Sequence, residues 1–545
     1  MMNGFFLLIQ RSAFSVHSLS FMSLARVSLV LFLLAVLLAS WFRFSEIGIK
    51  PFHHDEGVNS YFLLNLERNH SYQYNPENYH GPSLYYFALL SVMAFGETDL
   101  ACRFWPAAFG VLTVLLLWPL RRHLGEIGTP VAAFFLALSP GLVYFSRDFI
   151  HEMIFGACSL GIVVGAVRYW ESRKFPWLAL AAGSLGIMIT TKETVVVNVA
   201  VILTALACAV LWDAARSLLA RKELTPAALV RQLLREAGAS LPSLDHGLAA
   251  AILLLSIYLF LYSSLFKNPQ GILDFLRSIW HWTSERSSRD HVHPFPYYLG
   301  ILFKLELPLL LGALAAAPFL VWKQARFWLF AGAWTLGTLL AYSLIPYKTP
   351  WLMVGILIPM ALVTGHAAEQ AWQLTNGTAM RLLVAGIVLA GLLLAGRMAW
   401  QVNFKNYDDN TNRLGYFASW GAQLRLTPYT DTQYGYVYAQ TDRDFLFLVE
   451  ALRKQVEAQP GQTHTGIYVA SPDYWPLPWY LRDYDQVAFV GGLPPDLNGP
   501  PRFSQPIILA RADQREILDR VPGIHAATQP FALRPGVDLL LYVRD

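Results

Sequence analysis

The sequence predicts an α-helical protein that crosses a membrane many times and carries a soluble α/β domain at its C-terminus. Of its 545 residues, 55% are hydrophobic and only 14% are charged, a balance typical of polytopic membrane proteins. Apolar runs of about 17–22 residues recur from Arg26 to Trp400, and a helix of that length crosses about 30 Å of hydrocarbon. From Gln401 onward the apolar runs shorten to about five residues and charged residues become more frequent. The predicted parts are a cytoplasmic N-terminus (1–25), a membrane domain (26–400) with an outward loop at 45–103, and a soluble extracytoplasmic α/β domain (401–545).

Eleven stretches are predicted to cross the membrane as helices. They lie at 26–44, 104–120, 129–145, 152–168, 176–190, 194–212, 247–266, 297–322, 326–345, 350–372 and 380–400. Lys and Arg favour cytoplasmic loops, and alternate connections carry basic clusters such as Arg121 with Arg122 and Lys323 with Arg326. The other connections and the C-terminal domain are therefore predicted to face outward from the cell (inner) membrane. A further apolar stretch, 84–95, is too short to cross and is predicted to lie on the outer surface.

Six clusters of polar residues fall in the connections that are predicted to face outward. They are PFHHDEG (51–57), YHGPS (79–83), SRDFIHE (146–152), TTKET (190–194), the 267–296 loop and YKTPW (347–351). Ionisable residues at membrane depth are costly, so they usually line a water-filled cavity and have a function there. A transporter would instead place polar residues inside the spans near the midplane, where this chain has few. We therefore expect one site at the outer face of the membrane.

The most specific of these clusters is His53-His54-Asp55-Glu56, which follows the first span. A carboxylate there can act as a general base, or can bind a divalent cation such as Mg²⁺ or Mn²⁺ together with a histidine. Acidic residues also favour the N-terminus of a helix through its dipole, so this cluster is expected to begin the surface helix that contains VNSYFLLNL. We expect a functional cluster, with His54, Asp55 and Glu56 as candidate metal ligands.

Basic residues in three other clusters are candidates for binding a phosphate. Arg147 can grip a phosphate in a bidentate manner, or can form a structural ion pair with its neighbour Asp148. Lys192 lies between two spans with almost no loop, where a lysine can instead extend toward lipid headgroups. Lys348 follows Tyr347, a further site candidate whose position the aromatic belt of membrane proteins also explains. The remaining site candidates in these loops are His80, His151 and Glu152.

Two longer segments have more than one interpretation. The 267–296 loop contains WHWTSERSSRDHVHPFPYY, whose histidines and acids match no zinc spacing, and we expect a mobile lid over the cavity. The segment DYWPLPWYLRDYD (473–485) concentrates aromatic residues, which either stack on sugar rings or pack a core. Around it, GIYVA, QVAFV, PIILA and LLLYV predict strands, and 442–457 and 512–521 predict helices. This alternation predicts a small layered α/β domain.

The arrangement of these motifs resembles the GT-C class of integral-membrane glycosyltransferases. The similar features are a first span that ends in a His/Asp/Glu motif, a surface helix, HGPSLYYF, a small-residue stretch with Arg103, a basic cytoplasmic turn and SRDF. The chain is most similar to dolichyl-phosphate-mannose protein mannosyltransferases and aminoarabinose transferases, over about 26–400 and most strongly over 51–155. The motif WPLPWYLRDYD also resembles the soluble domain of an archaeal and bacterial subgroup associated with lipid-carrier flipping.

The resemblance implies an inverting glycosyltransferase. A sugar linked to polyprenyl phosphate would pass to an acceptor hydroxyl at the outer face of the membrane, with Asp55 as the base and Glu56 beside it. Because the lipid phosphate is a good leaving group, the reaction needs a base and cations rather than a strong acid. Arg147, Lys192 and Lys348 would hold the departing phosphate. The chain lacks a WWDYG motif, which argues against asparagine-linked transfer.

A second interpretation is a non-catalytic or transport-coupled protein that binds polyprenyl-linked glycans. A third, an ion-conducting or respiratory protein, is disfavoured because haem-ligand pairs and midplane charges are absent from the spans. In the first two interpretations the partners are a polyprenyl-linked sugar and membrane lipid, and the acceptor is a protein, a lipid or a glycan. The small net charge of +4 implies no nucleic-acid partner.

Overall fold

The computed structural model describes residues 3–75, 81–220, 238, 241–284, 291–323, 325–405, 435–436, 438–494 and 501–544. Within these residues the membrane domain is helical. Its helices are α1 (Asn3–Phe44), α2 (His54–Asn69), α3 (Ser83–Phe95), α4 (Asp99–Leu115), α5 (Arg121–Leu138), α6 (Pro140–Ser146), α7 (Glu152–Ser172), α8 (Phe175–Ile189), α9 (Val195–Ala220), α10 (Leu244–Tyr262), α11 (Gly271–Ser284), α12 (Tyr297–Leu305), α13 (Leu307–Lys323), α14 (Arg326–Leu344), α15 (Met353–Leu374) and α16 (Thr378–Trp400).

The described helices confirm a polytopic membrane domain. By length and composition, eight apolar stretches can cross a membrane, and a ninth is added if α12 and α13, which are bent by 109°, form one span. One of the eight, Asp99–Leu138, contains the predicted span 104–120 and the first part of 129–145, and α8 is a shorter apolar helix at the predicted span 176–190. Every predicted span is thus helical, but the span at 129–145 continues from α5 into α6 and the span at 297–322 is divided between α12 and α13. The stretch at 84–95 forms the short helix α3.

The chain reverses direction between α4 and α5. Near the end of α4, the Trp118 ring lies 4.9 Å from that of Phe32, in the first half of the membrane-crossing part of α1. At the end of α5, the Leu136 carbonyl accepts a hydrogen bond of 2.9 Å from Arg43, at the opposite end of α1. Gly125 lies between these points with φ of 81°, a left-handed conformation that glycine adopts without steric cost. Helices α4 and α5 therefore run along the bundle in opposite directions, as the sequence predicts.

Small residues allow the central helices to pack closely. Helix α15 is the most buried of the spans, and α5 packs along it. A side chain at Gly365 would lie 2.5 Å from the backbone oxygen of Gly128, so the two backbones are in direct contact. Such small-residue contacts are the usual means by which membrane helices approach each other.

The C-terminal domain contains a six-stranded mixed sheet with the order β2-β1-β3-β6-β4, and β5 also pairs with β6. The strands are β1 (Ile467–Val469), β2 (Val487–Phe489), β3 (Ile507–Arg511), β4 (Ile524–Ala526), β5 (Phe531–Arg534) and β6 (Val537–Arg544). The helix Asp444–Glu457 packs its apolar side on one face of the sheet. The four predicted strands and the helix at 442–457 are thus present, whereas 512–521 forms only two short helical turns.

Candidate active site

The loops that were predicted to face outward meet at one end of the helix bundle, which confirms their convergence. Gly81 N donates to the Thr191 carbonyl at 3.1 Å, and Arg103 reaches Glu56 at 2.7 Å. Two of the basic turns meet at the other end, where His123 lies 2.7 Å from Glu171. His80 and residues 285–290 of the predicted lid lie outside the described residues.

Glu56 is the centre of a buried group of charges that we call the closed cluster, formed by Lys50, His53, Glu56, Arg103 and Asp148. Arg103 Nε donates to Glu56 Oε1 at 2.7 Å, and Arg103 Nη2 donates to Oε2 at 2.8 Å. The Phe149 amide also donates to Oε1, at 2.7 Å, while His53 Nδ1 lies 2.9 Å from Oε2. Both carboxylate oxygens of Glu56 are therefore occupied by protein donors.

The charges of the closed cluster stabilise one another. Burial alone would raise the pKa of Glu56, but the charge of Arg103 and its hydrogen bonds lower that pKa far below the ordinary value. Burial alone would lower the pKa of His53, but the hydrogen bond and charge of Glu56 outweigh it and raise that pKa. Arg103 also donates to the carbonyls of Ile47 and Lys50, at 2.7 and 3.0 Å, and so fixes the loop that precedes α2.

Asp148 and Arg147 do not form the ion pair that was the structural alternative in the sequence. Asp148 pairs with Lys50 instead. Arg147 donates to the carbonyls of Phe42, Ser45 and Glu46 at 2.6–2.9 Å, and these carbonyls lie where α1 ends. A helix end leaves such carbonyls unsatisfied, so the guanidinium caps α1. The binding of a donor phosphate by Arg147 stays a prediction, and in this structure the side chain is buried in a different role.

Asp55 behaves differently from its neighbour. It lies in the first turn of α2 and is half-buried. Successive residues of a helix point about 100° apart, so Asp55 is turned away from the direction of Glu56. Within the described part of the chain, its carboxylate makes no hydrogen bond and no ion pair. A carboxylate that is ordered by a helix but not bonded to protein donors is available to a substrate.

Lys192 is the most accessible of the predicted phosphate-binding residues. It pairs with Glu152, and its side chain is 18% exposed. Its Nζ lies 5.8 Å from the centre of the Trp351 ring. Burial opposes the charged form, but the nearby charge and hydrogen bond of Glu152 outweigh it and raise the pKa of Lys192. Lys192 is therefore a cation, and one partly open to solvent.

Contacts connect the helix of Asp55 with the loop of Lys192. Asn59, one turn after Asp55, donates to the Phe149 carbonyl at 2.8 Å and accepts from the Tyr85 hydroxyl at 3.0 Å. The Tyr85 ring packs edge-on against His151, whose ring nitrogen lies 3.3 Å from the Gly81 carbonyl. Glu152 follows His151 directly. We call the partly exposed Asp55 and Lys192 the open face, and Glu152 is the buried partner of Lys192.

The other predicted residues lie at the edge of this region. Lys348 is buried, and its Nζ donates to the carbonyls of His293 and Ile345 at 2.9 and 2.6 Å. Tyr347 is 43% exposed and packs edge-on against His291. Lys348 therefore fastens the end of the 267–296 loop, and its contact with a phosphate stays a prediction.

The predicted metal ligands do not converge. Helix geometry separates Asp55 from Glu56, and among the described residues the group that could hold a metal is His53, Glu56 and Asp148, with ligand atoms within 4.8 Å of one another. Both oxygens of Glu56 already accept from Arg103, and Asp148 is paired with Lys50. The negative charges are thus balanced by protein cations, and these residues do not fit a metal ion without displacing one of them. A divalent cation stays a prediction.

Sequence reasoning did not assign Lys50 and Arg103 to the site. Arg103 stood out as a charged residue within the apolar run ACRFWPAAF, and ionisable residues at membrane depth usually have a buried partner. Lys50 directly precedes the acidic motif in the sequence. A charged residue inside an apolar stretch was therefore the signal in the sequence for a buried ion pair. The partner of each residue could be identified only from the folded structure.

The C-terminal domain touches the site through residues 473–482, which we call the docking segment. The Trp479 ring stacks on Phe52 at 5.1 Å, and the Phe52 amide donates to the Tyr480 hydroxyl at 2.9 Å. Trp479 Nε1 donates to Asp99 at 2.9 Å, and Arg482 pairs with Glu97 at 2.8 Å. The C-terminal domain therefore packs against the loop that precedes α2 and against the start of α4.

Solved structures of other proteins share the fold of this chain. The chain superposes on the structure of ArnT from Cupriavidus metallidurans bound to undecaprenyl phosphate, with a TM-score of 0.61 at 14% sequence identity. The superposition covers 94% of this chain and 97% of the ArnT chain. The chain has the GT-C fold. The chain also superposes on AglB from Archaeoglobus fulgidus, an oligosaccharyltransferase solved with an inhibitory peptide and a dolichol-phosphate. The TM-score is 0.54 at 12% sequence identity, over 90% of this chain and 70% of the AglB chain.

Two matches in sequence each cover part of the chain. The family model of dolichyl-phosphate-mannose-protein mannosyltransferases matches residues 79–234. The undecaprenyl phosphate-alpha-4-amino-4-deoxy-L-arabinose arabinosyl transferase 2 of Pseudomonas fluorescens (strain Pf0-1) is 33% identical over 141 residues. That match spans 25% of this chain and about a quarter, 26%, of the length of the relative. The resemblance seen in the sequence is therefore confirmed at the level of fold.

Proposed function

We propose that this protein is an inverting glycosyltransferase that moves a sugar from a polyprenyl-phosphate donor to an acceptor hydroxyl at the outer face of the membrane. One observation carries the proposal: Glu56 and Asp55 are adjacent, yet Glu56 is fully bonded to protein donors and Asp55 is bonded to none in the described part of the chain. The first carboxylate holds the loop in place, and the second is free to accept a proton.

The fold relatives support the class of donor. ArnT was solved with undecaprenyl phosphate and AglB with a dolichol-phosphate, and both are chains of the same fold. A polyprenyl phosphate keeps its lipid in the bilayer while its head reaches the bundle end where the open face lies. Because the membrane and the fold hold both reactants, positioning supplies much of the rate enhancement.

The proposed reaction is a single displacement. The acceptor oxygen attacks the anomeric carbon, the bond from that carbon to the phosphate oxygen breaks, and the proton of the acceptor passes to Asp55. The phosphate leaves with the bonding electrons, and Lys192 stabilises its negative charge. Attack from the side opposite the phosphate inverts the anomeric centre. Glu56 takes no part in the proton transfer because Arg103 keeps it ionised and occupied.

The replacement of Asp55 by Asn tests the proposal. In purified full-length protein in nanodiscs, with undecaprenyl-phosphate-linked sugars as donors, we expect Asp55→Asn to reduce the release of undecaprenyl phosphate by at least about 100-fold, since a general base contributes about 10²–10⁴-fold. Binding of undecaprenyl phosphate should stay unchanged. Asp483→Asn removes an exposed carboxylate of the C-terminal domain and serves as the matched control.

Two results would contradict the proposal. Transfer by Asp55→Asn at the wild-type rate would exclude Asp55 as the base. Wild-type protein that binds undecaprenyl phosphate but releases it from no donor would instead support the second interpretation, a non-catalytic or transport-coupled binder of polyprenyl-linked glycans.

A further inference from the structure

The docking segment contains one tryptophan that its interface does not bury. Trp479 is 1% exposed, and the Tyr480 hydroxyl accepts from the Phe52 amide, so both residues belong to the contact between the domains. Trp475 is half-buried and lies beside the first turns of α2. A side chain at Gly57 would lie 2.7 Å from Cα of Pro476, so the segment contacts the α2 backbone without a gap.

The Trp475 side chain lies among other rings at the start of α2. Its ring centre is 6.2 Å from that of His54 and 6.0 Å from that of Tyr61. His54, Gly57 and Tyr61 are spaced by three and four residues, so they share one face of α2. Tyr61 is 46% exposed and His54 is half-buried, which leaves ring surface accessible. Asp55 directly follows His54 in the first turn of α2, about 100° around the helix from it.

Charged planar groups border these rings. The Asp473 carboxylate accepts from Arg511 at 3.0 Å and from Arg534 at 3.1 Å, and the Asp473 side chain is 36% exposed. Asp473 lies two positions before Trp475 in the docking segment, so these ion pairs adjoin the ring of Trp475 along the chain. Aromatic faces combined with a few oriented polar groups are the usual composition of a small-ligand site. A sugar ring offers both an apolar face for the rings and hydroxyls for the charged groups.

We propose that Trp475, Tyr61 and His54, with Asp473 and Arg534, form a subsite for a saccharide acceptor. This deepens the proposed function, on which it rests, by assigning the acceptor to the carbohydrates. The subsite is formed between α2 and the C-terminal domain, whereas Lys192, which is proposed to receive the phosphate, lies in the connection between α8 and α9. The saccharide bound here is therefore the acceptor, whose hydroxyl meets Asp55, and not the sugar of the donor.

Saccharide binding by the full-length protein in nanodiscs tests the subsite. The probes are an array of defined monosaccharides and disaccharides, with undecaprenyl phosphate measured separately. We expect Trp475→Ala to weaken saccharide binding at least about tenfold, Tyr61→Ala to weaken it less, and Trp475→Phe to restore most of it. Trp170→Ala, at the far end of α7 from Glu152, should have no effect. None of these variants should alter the binding of undecaprenyl phosphate.

The outcomes separate the subsite from the catalytic proposal. Asp55→Asn should retain saccharide binding while it loses transfer. If wild-type protein binds no saccharide, or if Trp475→Ala and Tyr61→Ala both bind as tightly as wild type, the subsite is wrong, whatever the result for Asp55. If the variants weaken only the binding of an undecaprenyl-phosphate-linked sugar, and not that of free saccharides, the rings hold the donor and the acceptor assignment is overturned.

Discussion

The closed cluster and the open face begin on the same helical turn and use their charges in opposite ways. In the closed cluster, Glu56 and Arg103 are both fully buried and bonded to each other at 2.7 and 2.8 Å. On the open face, Asp55 is half-buried without a described partner, and Lys192 is partly exposed beside Glu152. One group of charges therefore fixes the loop, and the other is left to react.

This difference teaches that adjacency in the sequence is a poor guide to shared function in a helix. Two carboxylates in succession point about 100° apart, so a helix can turn one toward the core and the other toward a cavity. The buried one meets Arg103 and the Phe149 amide, both of which come from distant parts of the chain. The pair is thus a rigid support and a reactive group, rather than two copies of one catalytic acid.

The largest effect on stability is expected from Arg103→Met. It leaves Glu56 buried without its cation, and breaking a buried pair in this way costs about 3–5 kcal/mol. The matched control is Arg482→Met, whose pair with Glu97 has side chains that are 20% and 35% exposed and should contribute about 0–1 kcal/mol. Thermal unfolding of the purified protein measures both. Equal losses for the two variants would show that the closed cluster is not the support described here.

A smaller effect, on transfer, is expected from Lys192→Met. The loss of the cation at the departing phosphate should lower the transfer rate of the protein that remains folded about 10–100-fold. The unfolding temperature should also fall, because Glu152 is buried and loses its counter-charge. Lys348→Met is the contrasting variant, because the Lys348 ammonium is bonded to carbonyls. Lys348→Met should lower the unfolding temperature clearly, whereas the transfer rate of the protein that remains folded should change little. The reverse pattern would move the phosphate contact from the open face to Lys348.

The parts of the molecule that depend on local pattern could be predicted from the sequence. The length of the apolar runs predicted the spans. The alternation of basic loops predicted that PFHHDEG, SRDFIHE and TTKET lie at one end of the bundle. The division of roles within that end could not be predicted, because it depends on contacts between distant residues. Arg147 caps carbonyls about a hundred positions earlier in the chain, at Phe42 to Glu46. Likewise, the sequence showed only that 473–485 is rich in aromatic residues. The folded structure shows that Trp479 is buried at the interface and that Trp475 is accessible.

The smallest effect is expected in the dependence of stability on pH. The pKa of Glu56 is depressed in the folded protein, so its contribution to stability is present above its unfolded pKa of about 4.5 and is lost as the pH falls below that value toward the folded pKa. Wild type should therefore lose more stability than Glu56→Gln between pH 5 and pH 3. Thermal unfolding at a series of pH values measures the difference. Parallel curves for the two proteins would show that Glu56 is not stabilised by its ion pair.

The most direct test of the division between the two carboxylates is to measure transfer rate and unfolding temperature together for Asp55→Asn and Glu56→Gln. Asp55→Asn should unfold at the wild-type temperature and lose transfer by at least about 100-fold. Glu56→Gln should unfold at a clearly lower temperature because Arg103 loses its buried counter-charge. Contradiction would come from an Asp55→Asn protein that still transfers sugar at the wild-type rate, or from a Glu56→Gln protein that keeps its stability and loses only transfer.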